Sequence, residues 1–230
     1  MAGLLGEGME IDTKRFILGA REARGTCVVV DVFRASNSMI SILSRGADCI
    51  IPVACLSVAH LIKQENPDYI LFGEPEGRPP EGFDHDNSPA TAEGLDLTGQ
   101  TIILATSAGT KALVNSRHTE EVVVASFANA HAVAAYLTEA QPKRVTMLPV
   151  GFKGEVEAEE DELCAAYLEA LLAGEEPDFG PVRERLLACP GAERLRSLGQ
   201  EADLDFCTRL DTFSIVPRAT KGFGLWRLRA

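Results

Sequence analysis

Asp31, Arg34 and Ser36 follow directly on the apolar run 27–30 in the stretch TCVVVDVFRAS. A carboxylate closing such a run is costly to bury unless a metal or a cation satisfies it. Arg34 can be that cation, or it can hold a phosphoryl group through two parallel N–H bonds. Two further apolar runs end in a related way. ILAT passes into SAGTKAL, which sets Thr106, Ser107, Gly109 and Thr110 before a helix, and VVAS passes into FANAHAV with Ser126 and Asn129. Small hydroxyl and amide side chains at helix starts are ordinary N-caps. The same helix starts offer unpaired N–H groups and a favourable dipole to an anion, so three of them converging would build an oxyanion cradle.

Two acidic clusters supply hard oxygen donors. One segment contributes Glu74, Glu76, Asp84 and Asp86, and another Glu157, Glu159, Glu160, Asp161 and Glu162. Magnesium takes only one or two protein carboxylates beside waters and substrate oxygens, so most of these acids are bystanders. Glu160 and Asp161 lie three and four residues after Glu157, a spacing that presents carboxylates on one helix face. His85 stands between Asp84 and Asp86, and without a second histidine it gives little support to zinc. His60, His118 and His131 read as surface or packing residues. No G-x-S-x-G elbow, P-loop or G-x-G-x-x-G is present, which argues against serine hydrolases, NTPases and dinucleotide enzymes. An aspartyl-phosphate phosphatase would carry a second Asp two places after the first, and position 33 is Phe.

The elements that must position these residues are legible as short β-branched runs separated by amphipathic stretches. TCVVVDV, DCIIPV, YILF, TIILAT, EVVVAS and RVTMLPV are apolar on both faces, as in parallel strands covered by helices on each side. SMISILSRG, LSVAHLIKQEN, TKALVNS, NAHAVAAYLTEA and EAEEDELCAAYLEALLAG supply the helices, with charged helical sequence from 178 to about 208. The expected class is α/β, a largely parallel sheet flanked by helices, forming a single domain over 1–230 or two closely packed lobes. FSIVP and GLWRLR predict a closing strand or hairpin. The irregular segment 73–99 is long for a compact domain and is expected to be an active-site loop. In open α/β sheets ligands lie beyond the carboxyl ends of the strands, where Asp31, Ser107 and Ser126 fall.

With 230 residues, 46% of them hydrophobic, the chain is long enough to bury a sizeable core. Its formal net charge of -12, with no cluster of Lys and Arg, excludes nucleic acid and anionic membrane surfaces as partners. If the substrate is anionic, the net charge must be offset locally by a cation or by converging amide groups, which points toward a bound metal. The six cysteines form no C-x-x-C pair and read as reduced, mostly buried residues of a cytoplasmic protein. The N-terminus lacks the pattern of a signal peptide, and no apolar stretch approaches the ~20 residues that span a bilayer. A homodimer is the default assembly.

Five motifs in order, VVVDVFRAS, EGFDHDNSP, TSAGTKAL, ASFANA and EDELCAA, resemble those of the 2-phosphosulfolactate phosphatase family. The likeness runs from about residue 26 to 170, and DFCTRLD with SIVP extends it almost to the end. It implies a magnesium-dependent phosphatase with an α/β fold peculiar to the family, acting on (2R)-2-phospho-3-sulfolactate in coenzyme M biosynthesis. The family's residues fall here on Asp31, Arg34, Ala35, Ser36, Gly82, Phe83, Asp84, Asn87, Ser88, Pro89, Gly109, Thr110, Ser126, Asn129, Glu160 and Asp161. On this basis Asp31, Arg34 and Asp84 are expected to be catalytic, with Asp84 positioning water or protonating the departing alkoxide. Ser36, Asn87, Ser88, Ser107, Gly109, Thr110, Ser126 and Asn129 are expected to bind the small anionic phosphorylated substrate. Asp31 with Glu160 or Asp161 is expected to hold Mg2+. Two mechanisms stay open, attack by water and a covalent intermediate on Asp31. Where the family motif has Asn before Gly-Thr this chain has Ala108, and its Gly after Cys-Ala is Ala166. The lost amide leaves open another phosphorylated hydroxy acid as substrate, or a non-catalytic binder of a phosphorylated or sulfonated metabolite.

Overall fold

The computed structural model describes residues 9–74, 79–222 and 225–230. Its strands are β1 (Glu10–Thr13), β2 (Thr26–Val30), β3 (Cys49–Val53), β4 (Ile70–Glu74), β5 (Thr101–Thr106), β6 (Glu121–Ala125), β7 (Arg144–Pro149), β8 (Arg218–Gly222) and β9 (Leu225–Arg229). They form one sheet in the order β1-β7-β2-β6-β8-β9-β3-β5-β4. Two parallel sets, β1-β7-β2-β6 and β3-β5-β4, are stitched together by the antiparallel hairpin β8-β9. The class is α/β with a mostly parallel sheet, as the apolar runs predict. The closing hairpin begins at Arg218, however, so FSIVP contributes no strand: residues 213–217 only lead into β8. β1, a short edge strand with one strongly apolar residue, escapes a reading by hydrophobic runs.

Ten helices are described: α1 (Phe16–Glu22), α2 (Ala35–Ser44), α3 (Leu56–Glu65), α4 (Pro89–Glu93), α5 (Gly109–Asn115), α6 (Ala130–Ala140), α7 (Glu159–Leu172), α8 (Phe179–Ala188), α9 (Pro190–Ser197) and α10 (Glu201–Cys207). The alternation along β2 shows how they layer. Cys27 and Val29 join a core with Ile50, Ile102, Leu104, Met39, Ile42 and Ala112, drawn from both parallel sets and from α2 and α5. Val28 and Val30 point the other way, onto Ala130, Val133, Cys164 and Leu168 of α6 and α7. Side chains that alternate between two buried faces give the continuous valine run its reason. The outer face of the second set, Ile51, Leu71 and Ile103, packs with Ala59 of α3.

Helix α2 is buried from Ala35 to Leu43. Its polar residues are satisfied inside: Ser38 Oγ donates to Asn87 O and Ser41 Oγ to Pro89 O, both at 2.9 Å. Those bonds pin the segment 87–89 over the helix, because a buried hydroxyl without a partner is costly. The segment 73–99 is thus less irregular than expected. Residue 85 runs beside β4 in a bridge to Phe72, and α4 follows. Glu76 lies outside the described residues. No helix among the described residues is long and apolar enough to cross a membrane.

Candidate active site

Asp31 sits in the first turn after β2, and a tight local network fixes it there. Its N–H donates to Ser36 Oγ at 3.0 Å, its carbonyl accepts the Ser36 N–H at 2.8 Å, and its Oδ1 accepts the Ala35 N–H at 3.3 Å. Helix α5 starts against it. A Cβ on Gly109 would stand 2.8 Å from Asp31 Oδ2 and 2.7 Å from Ala35 Cβ, so only glycine lets the two turns approach this closely. Burial lifts the Asp31 carboxyl to about 6, helped by Glu74 and Glu160 and opposed by the Ala35 N–H and by Arg194.

Arg34 is 4% exposed. Its Nη1 lies 2.6 Å from Asp203 Oδ2 and 3.5 Å from Asp86 Oδ2, and its Nη2 lies 3.8 Å from Glu74 Oε2. The other Asp203 oxygen accepts the Ser88 hydroxyl at 2.5 Å and the Ala90 N–H at 3.1 Å. One residue of α10 therefore locks the guanidinium to the start of α4.

Asp161, in the first turn of α7, uses both carboxylate oxygens as braces. Oδ1 accepts the Val32 N–H at 2.7 Å and Oδ2 the Gly151 N–H at 2.8 Å, which ties the turn after β2 to the turn after β7. Its neighbour Glu160 accepts from the Cys189 thiol at 3.5 Å, and a Cβ on Gly191 would stand 2.5 Å from Glu160 Oε1. Burial raises both carboxyls, Asp161 well above the usual range, and there Asp31 and Glu160 add to the shift.

These groups surround one cavity of about 30 Å³. The carboxylates of Asp31, Glu74, Glu160 and Asp161 and the cations of Arg34, Lys153 and Arg194 line it, with Asn87, Ser107, Ala108 and Phe152. Ser107 Oγ donates to Glu74 Oε1 at 3.4 Å. The buried Asn87 Oδ1 accepts no hydrogen bond from the described residues and so offers a spare oxygen.

Of the residues expected from sequence, the structure brings Asp31, Arg34, Asn87, Ser107, Glu160 and Asp161 to this cavity. The others serve nearby or elsewhere. Ser36 closes the turn after β2, and Ser88 caps α4 by accepting the Thr91 N–H at 3.0 Å. Gly109 supplies clearance, and Thr110 closes the turn after β5, its hydroxyl accepting the Thr106 N–H at 2.9 Å. Asn129 Oδ1 accepts the Ser126 N–H at 2.9 Å, and Asn129 Nδ2 donates to the carbonyls of Val124 and Ile215. Neither Ser126 nor Asn129 lines the cavity. Asp84 also lies apart, accepting the Leu71 N–H at 2.8 Å and pairing with Lys63 at 3.6 Å, because the backbone beside β4 turns residue 84 away and residue 86 toward Arg34.

Lys153, Arg194 and Asp203 are groups the sequence did not point to, and Glu74 stood there only as one of several acids able to supply a hard donor. Lys153 and Phe152 sit in the loop Gly-Phe-Lys-Gly after β7, another carboxyl strand end, whose Gly151 and Gly154 adopt φ of +77° and +73°. That glycine-bracketed turn is a sequence signal that would have found them. Arg194 and Asp203 carry none, since both come from amphipathic helices that pack over the site.

The donor set suits a hard cation: carboxylate oxygens, a spare amide oxygen and a local excess of negative charge that burial makes costly. Asp31 and Glu160 qualify best, because the Asp161 oxygens are already occupied by N–H donors. No group of three or more His, Cys, Asp or Glu among the described residues is arranged to hold a metal by itself. Magnesium needs no such group, since it binds through one or two carboxylates and fills its shell with water and substrate oxygens.

A mostly parallel α/β sheet whose strand ends close on a small cavity of mixed charge is the architecture of an enzyme that handles a small anion. The chain matches the model of the 2-phosphosulpholactate phosphatase family across residues 13–222. It is 32% identical over 209 residues to the probable 2-phosphosulfolactate phosphatase of Thermotoga petrophila, covering 86% of this chain and 90% of that one. It is 33% identical over 204 residues to the protein of that name from Pseudothermotoga lettingae, covering 83% and 88%. The corresponding protein of Thermoplasma acidophilum is 32% identical over 197 residues, covering 85% and 86%. The chain belongs to the 2-phosphosulfolactate phosphatase family, and its enzyme class is that of the phosphoric monoester hydrolases.

Proposed function

We propose that the chain hydrolyses the phosphomonoester of a small hydroxy acid with magnesium, foremost (2R)-2-phospho-3-sulfolactate, to give (2R)-3-sulfolactate and phosphate. The observation that carries this reading is the confinement of Asp31 and Glu160 with Arg34 and Lys153 around a single cavity. Asp31 and Glu160 would hold magnesium, which when bound supplies Lewis acidity at a phosphoryl oxygen and offsets the buried carboxylates. Asp161 keeps the two strand-end turns in register and so sets the spacing of Asp31 and Glu160. Arg34, immobilised by Asp203, and Lys153 face the equatorial oxygens, where negative charge spreads in the transition state. Glu74, held between Ser107 and Arg34, accepts a proton from the attacking water. As the water oxygen bonds to phosphorus the ester P–O bond breaks, and the proton taken up by Glu74 is passed on, directly or through water, to the departing alkoxide, which leaves as the hydroxy acid and returns Glu74 to its carboxylate. Ala108 lines the same cavity, so the family's amide is replaced at a surface that meets substrate. The test is a panel of phosphorylated hydroxy acids assayed for phosphate release with magnesium and with chelator. Magnesium-dependent release from phosphosulfolactate supports the reading, and binding without release from any member contradicts it.

A further inference from the structure

The cavity between Asp31 and Arg34 is tight, about 30 Å³ against about 240 and 450 Å³ for the two spaces beside it. A phosphoester held by its phosphoryl group in the tight part has room for its organic part in the adjoining space. Two chambers open from it. One, of about 240 Å³, shares Glu74, Thr106 and Ser107 and is reached by Lys111. The other, of about 450 Å³, shares Phe152, Ala158, Glu160 and Arg194 and runs on along Val156 and Pro190.

Arg194 lines both the cavity and the larger chamber, which Lys111 does not do for its own. Its guanidinium lies over the Phe152 ring, 4.7 Å from the centroid, and among the described residues it donates only a long bond of 3.4 Å to Phe33 O. No carboxylate of the described residues stands within 4.0 Å of it in an ion pair. Three glutamates share the chamber wall with it: Glu159 is taken by Arg185 at 2.7 Å, while Glu157 and Glu160 also stand there, Glu160 and Asp31 feeling the charge of Arg194 without an ion pair to it. An arginine stacked on an aromatic face keeps its forked donors directed and ready for a planar or tetrahedral oxyanion. Apolar Phe152, Val156 and Pro190 meanwhile suit a short carbon skeleton.

We propose that Arg194 is the specificity-determining residue of the enzyme. It receives the second acid group of the substrate, a sulfonate or carboxylate on the carbon beyond the one that bears the phosphoryl ester, with the carbon chain seated against Phe152. The inference rests on the phosphatase reading for the orientation of the ligand. Its test needs no turnover.

Calorimetric binding of 3-sulfolactate, malate, lactate and inorganic phosphate is compared for the wild type, Arg194→Gln and Arg194→Lys. Sulfolactate and malate carry the outer acid as sulfonate and carboxylate respectively, and lactate lacks it. Loss of one charge-assisted pair predicts that Arg194→Gln weakens sulfolactate or malate about tenfold or more. Lactate and phosphate lose clearly less than the outer acids, phosphate a little because Arg194 also lines the central cavity, and Arg194→Lys falls between. Whichever of the two acids loses more identifies the group recognised. Retained phosphate binding shows that the variant is folded with its central site intact. Equal losses for lactate, unchanged affinity for both outer acids, or no binding of either by the wild type overturn the proposal. Arg194-dependent binding in a protein that releases no phosphate would leave this inference standing and remove the phosphatase reading instead.

Discussion

Arg34 Nη1 lies 2.6 Å from Asp203 Oδ2, a buried pair formed across 169 residues of sequence. The same Asp203 receives Ser88 and Ala90, so it joins the C-terminal helices to the turn that carries Asn87. Removing one partner of a buried pair leaves an uncompensated charge and costs about 3 kcal/mol or more. Asp203→Ala should therefore lower the urea midpoint and depress kcat together. Asp203→Asn, which keeps an acceptor for Ser88, should lose less stability. Equal stability of Asp203→Ala and wild type would contradict the locking role.

Asp84 and Asp86 should behave differently although they are two residues apart. Asp84 pairs with Lys63 at a partly exposed site, where an ion pair is worth about 1 kcal/mol or less. Asp84→Asn should leave kcat within about twofold of wild type, as expected of a group that does no acid–base work. Asp86→Asn, which loosens Arg34, should reduce it clearly. A large loss in Asp84→Asn alone would restore the role its place in the EGFDHDNSP motif suggests.

Gly109 should tolerate no side chain. Alanine there would put Cβ 2.8 Å from Asp31 Oδ2, with overpacking of about 1–3 kcal/mol and a displaced carboxylate. Gly109→Ala should lose activity out of proportion to its change in Tm. Gly99→Ala is a useful control for stability, because that glycine has open space around it but a φ of +72°.

The pH dependence of stability follows from burial of Asp31. Its folded pKa, about 6, lies above the ordinary carboxylate value of 3.8. The stabilisation is complete below the ordinary value and is lost as pH rises through about 6, because the native state must then bury an anion. Asp161 and Glu160 shift in the same direction. Metal-free protein should thus lose stability between about pH 4 and pH 6. Magnesium, which binds the ionised forms, should raise Tm more at pH 7.5 than at pH 5. Thermal melts with chelator and with magnesium at both pH values check this. A magnesium shift that is equal at the two would contradict it.

The parallel strands and most of the helices were legible because the β-branched runs are buried on both faces and most flanking helices, though not the wholly buried α2, carry one apolar face. The central hairpin was only half legible. Arg218–Gly222 has mixed polarity, and nothing local says that it enters between β6 and β3. Asp31 stands out in sequence as an acid at the end of an apolar strand, and the structure places it at the cavity. The structure sets Ser36, Thr110, Ser126 and Asn129 off the cavity wall, in the turns between strand and helix. The Ser36 and Thr110 hydroxyls and the Asn129 amide close their turns onto backbone, and these are the same groups that would cradle an anion, so sequence spacing does not separate the two. Asp203 and Arg194 sit among ordinary helix charges, and only the packing of α9 and α10 over the strand ends brings them to Arg34 and Phe152.

The central claim is that Asp31 anchors a magnesium-dependent phosphatase site. It is tested most directly by phosphate release from 2-phospho-3-sulfolactate, comparing wild type with Asp31→Asn in magnesium and in chelator. The account predicts turnover by the wild type only with magnesium, and a loss of about a hundredfold or more in Asp31→Asn with the fold retained. Full activity of Asp31→Asn, or undiminished activity of the chelated wild type, would contradict it.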